Sequence, residues 1–231
     1  MTRAFKYTML MASLPLHPAD LLSARQPPVS RIQLDKRLAL LDKHDREELE
    51  SIEQMIFWSH ARDACSEEII AEDNAALAMI KNPFLKQLVL WRLTTRTLVS
   101  GLRLRHAGFT PPSKNSFIGF GKWLPAIAKN WERPDFGINP IEVPWLGKAN
   151  EFIVQNRPLE LEKLLLNMSW HYYAKLSNQH TFDFEAVVIY VMRWDVINRW
   201  SHYNRDYFKE TALANFNQLA DASLSGCPTS F

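Results

Sequence analysis

The chain has 231 residues, 47% of them hydrophobic and 23% charged, which is the composition of a folded globular protein rather than a disordered one. Lys and Arg total 27 against 25 for Asp and Glu, a net of +2, so no global field recruits nucleic acid or an anionic membrane. The two cysteines, Cys65 and Cys227, form no C-x-x-C pair, zinc spacing or disulfide framework, and a reduced cytoplasmic chain is the reading they favour.

At the N-terminus, Arg3 and Lys6 precede a mostly apolar run from Tyr7 to Leu14. The run imitates a secretory signal, but it is short and meets Pro15 with no A-x-A-type cleavage site. It reads as a short strand or an extended buried segment. The longest unbroken apolar stretch, Ala186 to Met192, is far below the roughly 20 residues that span a bilayer.

Helices follow. Asp45 suits an N-cap for a helix to about Arg62, with Leu49, Ile52, Met55 and Ile56 at helical spacing. Ser66 suits the next cap, and Asn82-Pro83 ends that helix because a residue before proline avoids helical dihedrals. A long helix runs from Phe84 to about His106, with Gly108 placed for its C-terminal cap. Residues 108–147 then hold five of the seven glycines and six of the thirteen prolines, with one short helix at Lys122–Trp131. Aromatic residues stud this stretch, among them Phe120, Trp123, Trp131, Phe136 and Trp145, so it should pack against the helices or a partner. Pro158 opens another helix, Asp183 caps one through Val187, Val191 and Trp194 to about Tyr203, and a weaker amphipathic helix covers Asp206 to about Ala222. The expectation is an all-α chain of two helical lobes, 1–107 and 148–231, joined by an aromatic, Gly/Pro-rich connector at 108–147, with Tyr7–Leu14 as the one short strand.

No catalytic constellation is assembled by these motifs, and no metal or cofactor is expected. Gly119-Phe120-Gly121-Lys122 resembles a phosphate loop but lacks the G-x-x-x-x-G-K-[ST] spacing and a preceding strand. His44 with Asp45, and His60 with Asp63, are the pairs from which a metal-dependent hydrolase site would be built, and that is the alternative reading.

Two features look like partner contacts. Arg92, Arg96 and Arg103 fall within about 40° of one another on a helix. They form either a contact face for an acidic partner or a face paired internally with acids from the Glu47–Asp73 region. In Met192–Trp200, Asp195 and Arg199 stand at i and i+4 and can pair, and Trp194, Ile197 and Trp200 can fill a groove. The candidate partner-binding residues are therefore Arg92, Arg96, Arg103, Asp195, Arg199 and Trp200.

Tyr7-Thr8-Met9-Leu10-Met11-Ala12-Ser13-Leu14-Pro15 followed by Pro27-Pro28-Val29-Ser30, together with Phe182-Asp183-Phe184-Glu185 and Tyr190 through Trp200, resembles a bacterial family encoded within V/A-type ATPase operons. The family has the place of a shortened counterpart of the central-stalk subunit called C or d. The resemblance implies an all-helical, non-catalytic rotor adaptor between the rotating shaft and the membrane ring. It would be cytoplasmic and peripheral to the inner membrane, with shaft and ring subunits as partners, and would neither bind nucleic acid nor insert in the membrane. At this length the chain has room for about two of the three lobes of the full subunit.

Overall fold

The computed structural model of the protein describes residues 3–57, 67–110 and 119–203. Among these residues the chain is all-α, with no strand. The helices are α1 (Arg3–Ser13), α2 (Arg31–Leu38), α3 (Lys43–Ile56), α4 (Glu67–Met79), α5 (Pro83–His106), α6 (Leu124–Lys129), α7 (Leu146–Val154), α8 (Pro158–Ser177) and α9 (184–203). None of them is long and apolar enough to cross a membrane.

The apolar run at the N-terminus is the clearest correction: it is helix α1, not a strand. Tyr7, Leu10 and Leu14, spaced by three and four, face the core, while Thr8, Met9 and Ala12 face outward. The Tyr7 hydroxyl donates to Asp45, buried in α3. Asp45 is thereby taken from the capping role expected of it. Asp42 is the N-cap of α3 instead and accepts from the Asp45 amide at 3.0 Å.

The later boundaries follow local chemistry. Asn82 caps α5, its Oδ1 accepting from the amides of Phe84 and Leu85, with Pro83 in the first turn where its missing N–H costs nothing. At the other end Gly108, at φ +82°, closes a Schellman turn in which the Phe109 amide donates to Leu104 O and the Gly108 amide to Arg105 O. Asp183 Oδ1 accepts from the Ala186 amide at 2.8 Å and starts α9. The expected caps at Ser66 and helix at Asp206–Ala222, and both cysteines, lie outside the described residues.

Packing does not follow the expected lobes. One apolar cluster joins α1 through α4 and the first half of α5 to the second half of α8 and to α9. A second joins Leu98, Val99 and Leu102 of α5 to Leu161 and Leu165 of α8, and its centre is filled by the segment expected to be a connector: Ile127, Trp131, Phe136, Ile138 and Val143. Helices α5 and α8 therefore run through both clusters. Between the clusters lie buried polar residues, Arg92, Thr95 and Thr97 on α5, Glu162 and Ser169 on α8, and Asp195 on α9.

The glycine motif at 119–122 serves this packing. Phe120 is buried and its amide donates to Thr97 Oγ1 at 2.9 Å. Gly121 sits at φ +92°, and a Cβ there would run into Thr94 Oγ1. The backbone crosses α5 too closely for a side chain, which is a packing reason for glycine rather than a phosphate cradle. Gly121→Ala is expected to cost about 1–3 kcal/mol. Gly147→Ala in α7, where nothing lies within 4 Å, should be neutral or gain up to about 1 kcal/mol. Urea unfolding of the two variants side by side checks the pair.

Candidate functional site

The segments that carry the resemblance meet in space. Tyr190 Oη donates to Pro15 O at 2.9 Å, and His17 Nε2 lies 3.1 Å from Tyr190 O, which straps the chain after α1 onto α9. One turn on, Trp194 Nε1 donates to Val29 O at 2.7 Å, which ties Pro27–Ser30 to the same helix. Ser30 then caps α2, accepting from the Gln33 amide at 3.3 Å.

A cavity of about 760 Å³ opens at this seam. Pro28, Phe57 and Trp194 give it apolar walls, and Gln26, Gln33 and Asn198 supply amides. Arg31, Glu53 and Asp195 supply its charges. The Arg31 guanidinium grips Glu53 in a two-pronged pair, Nη1 to Oε1 at 3.1 Å and Nη2 to Oε2 at 2.9 Å, and its Nε donates to Asp35 at 2.8 Å. Burial works against that charge, but the Glu53 bonds and the Glu53 and Asp35 charges outweigh it, and Arg31 stands above its ordinary range. Glu53 is thus committed to Arg31, and Ser30 Oγ to a cap. Among the described residues, Arg31, Glu53 and Asp195 are the ionisable groups of its lining.

The residues expected to bind partners fall into three groups. Arg92, at 6% exposure, Asp195, at 5%, and Trp200 are buried, and this corrects their assignment as surface contacts. Burial pulls the Arg92 guanidinium down from its ordinary range, opposed by Tyr173, Asp195 and Glu162 around it. Burial likewise pushes Tyr173 up. Arg96 is paired internally: its Nη2 lies 2.6 Å from Asp73 Oδ2 of α4, and its Nη1 donates to Met55 O. Arg199 pairs not along its own helix but across to α8, Nε to Glu162 Oε1 at 2.8 Å. Arg103 remains exposed. Arg96 turns to the side of α5 that α3 and α4 cover, whereas Arg92 sits among Tyr173, Glu162 and Asp195 of α8 and α9.

Of the histidine pairs considered for metal chemistry, His44 Nδ1 lies 3.8 Å from Asp45, which already takes the Tyr7 hydroxyl. His60 and Asp63 lie outside the described residues. The set His180, Asp183 and Glu185 does bring potential ligand atoms within 4.8 Å of one another. Each has a structural bond: Asp183 caps α9, His180 Nδ1 meets Asp183 Oδ2 at 2.7 Å, and Glu185 accepts from Asn82 Nδ2 at 2.6 Å.

His17 was not singled out by its sequence context. Its ring stacks on Tyr190 with centroids 4.1 Å apart and stands edge-on to Trp170. Burial first, and then the Arg193 charge, lower its pKa to about 3. Arg31, Glu53 and Phe57 were missed as well. Pro27–Ser30 was their only signal, because α2 and α3 had to fold before they could meet.

Two outcomes follow from this geometry. Asp195→Ala removes a carboxylate facing the buried Arg92 and should destabilise by about 3–5 kcal/mol, whereas Arg103→Ala should stay within about 0.5 kcal/mol, both read by chemical denaturation. His17 is neutral in the fold between about pH 3 and the ordinary value of about 6.5, where the unfolded chain takes up the proton. Its contribution is therefore complete above about pH 6.5 and is lost as pH falls, by on the order of 1 kcal/mol per unit at most. Melting curves from pH 7 to 4 should converge for the wild type and His17→Phe.

Compared with protein-family models, with curated proteins and with solved structures, the chain finds no match in any of the three.

Proposed function

We propose that the chain is a non-catalytic helical adaptor that acts by protein contact, coupling the rotor shaft of a V/A-type ATPase to its membrane ring. The observation that carries this reading is the meeting of Tyr7–Pro15, Pro27–Ser30 and 182–200 at one seam, with a cavity of apolar walls, amides and charged groups beside it. Those are the segments that resemble the ATPase-operon family. The polar groups buried near them fasten helices to one another, as a part that bears load requires. The reading places the chain on the cytoplasmic face, peripheral to the inner membrane, with the shaft and ring subunits as partners.

Expression with the ATPase subunits of its own operon, followed by affinity capture of the chain, tests this. The shaft and ring subunits should be retained. Asn198→Trp, which fills the cavity, should reduce their retention severalfold while leaving the melting temperature of the free chain within a few degrees. Capture of the chain without any ATPase subunit would overturn the reading. A metal-dependent hydrolase, the second reading, rests on His180, Asp183 and Glu185. Stoichiometric metal in the purified protein, lost in His180→Ala, would put that reading in place of the adaptor.

A further inference from the structure

The arginines of the α5 stripe are spent inside the fold or stand alone, so an acidic partner must be met elsewhere. Two guanidiniums near the seam have no carboxylate partner among the described residues. Arg37 donates only to main-chain oxygens, Nε to Ser13 O at 3.0 Å and Nη1 to Gln33 O at 3.1 Å. Arg193 lies over Trp170, its Cζ 4.0 Å from the ring centre, and its buried Nε has no hydrogen-bond partner among the described residues. The two are brought together by the strap. Arg37 holds Ser13, Tyr190 holds Pro15, and Arg193 is one turn beyond Tyr190 on α9. Both charges act on the Tyr190 hydroxyl. Next after Pro15 the strap presents Leu16, which at 93% exposure is the most exposed large apolar side chain among the described residues. His17, next in the chain, stands edge-on to Trp170 and leaves its buried Nδ1 without a hydrogen-bond partner among the described residues.

We propose that Arg37 and Arg193, both close to Tyr190, and the exposed Leu16 of the strap seat an acidic segment of a partner protein, its carboxylates on the two guanidiniums and an apolar side chain on Leu16. A guanidinium's fork of N–H donors suits the two oxygens of a carboxylate. Half-burial of Arg193 lowers the screening of such a pair relative to a fully solvated one. Two cations are too few for a lipid surface, which takes clusters of four to eight at about 1 kcal/mol each, and nucleic acid likewise demands many phosphate contacts. The exposed apolar Leu16 on the same strap favours a protein segment over either. The naming of that partner as an ATPase subunit rests on the adaptor reading; the seat itself does not.

The test uses the full chain and a fluorescent peptide of repeated Glu-Glu-Leu, with a Lys-Lys-Leu peptide and phosphatidylserine vesicles alongside. The chain should bind the acidic peptide in preference to the basic one. The Arg37→Met, Arg193→Met double variant, which keeps apolar stems over Trp170, should bind it about tenfold or more weakly, with Arg103→Met unchanged. Equal binding by wild type and double variant overturns the seat, as does vesicle binding that depends on the two arginines without peptide binding. Should the double variant not fold, Arg37→Met decides alone, because its guanidinium touches only two carbonyl oxygens on the surface; an unchanged affinity there overturns the proposal. Peptide binding that depends on the arginines, with no ATPase subunit captured, would remove the adaptor assignment and keep the seat. Capture of the ATPase subunits undiminished in the double variant, with no peptide binding, would do the reverse.

Discussion

A cation stands in the middle of the longest described helix with almost no water around it. Arg92 cannot lose its proton, so the fold must bring negative and polar groups to it or not form. Those groups come from two other helices: Asp195 from α9, Glu162 and Tyr173 from α8. Meeting that one requirement sets how α8 and α9 lie against α5. Arg199 then closes the arrangement from the other side by taking Glu162, and Arg96 anchors α4 through Asp73. Apolar packing alone would tolerate α8 sliding along α5, because both helices carry leucines above and below the seam. The buried charges permit one register.

The seam also explains why the glycine- and proline-rich segment is not a linker. Helices α5 and α8 extend past it, and their far halves present Leu98, Leu102, Leu161 and Leu165 with no further long helix among the described residues to cover them. The aromatic segment supplies that cover. Arg105 pins it in place: its guanidinium donates to the carbonyls of Trp131, Arg133 and Pro134 and to Asn150, and it lies 4.8 Å from the centre of the Phe136 ring. Trp131 fastens back to Phe109 O through its indole N–H. An irregular chain can be buried in this way only because an arginine and an asparagine, Asn130 on Phe136 O, satisfy its carbonyls.

Helix type and most helix ends were legible in the sequence, because caps are local. Asn82-Pro83, Gly108, Pro158 and Asp183 act within four residues of themselves. The α1 segment was misread because its outward residues, Thr8, Met9 and Ala12, are uncharged, so its three-and-four spacing was hidden in a run that looked uniformly apolar. Asp45 was misread because its partner, Tyr7, lies 38 residues away. Helical spacing groups Arg92, Arg96 and Arg103 but does not say what covers each: Arg92 is buried among groups of α8 and α9, Arg96 pairs with α4, and Arg103 is exposed. The alternative pairing with acids of the Glu47–Asp73 region holds for Arg96. The cavity was least legible of all, since its charged pair, Arg31 and Glu53, comes from two helices.

The positions of charge in this fold separate into two kinds, and the difference bears on what the molecule does. Arg31, Arg92, Arg96 and Arg199 are neutralised by carboxylates from other helices, so they fix geometry and have nothing left to offer a ligand. The half-buried His17 of the strap, its pKa lowered to about 3 by burial and then the Arg193 charge, packs as a neutral ring against Tyr190 and Trp170. Arg37 and Arg193 are different in kind, since they keep their charge and lean only on carbonyls and an indole face. On the adaptor reading proposed above, the cross-helix ties keep the fold rigid while Arg37 and Arg193 are what remains for a partner.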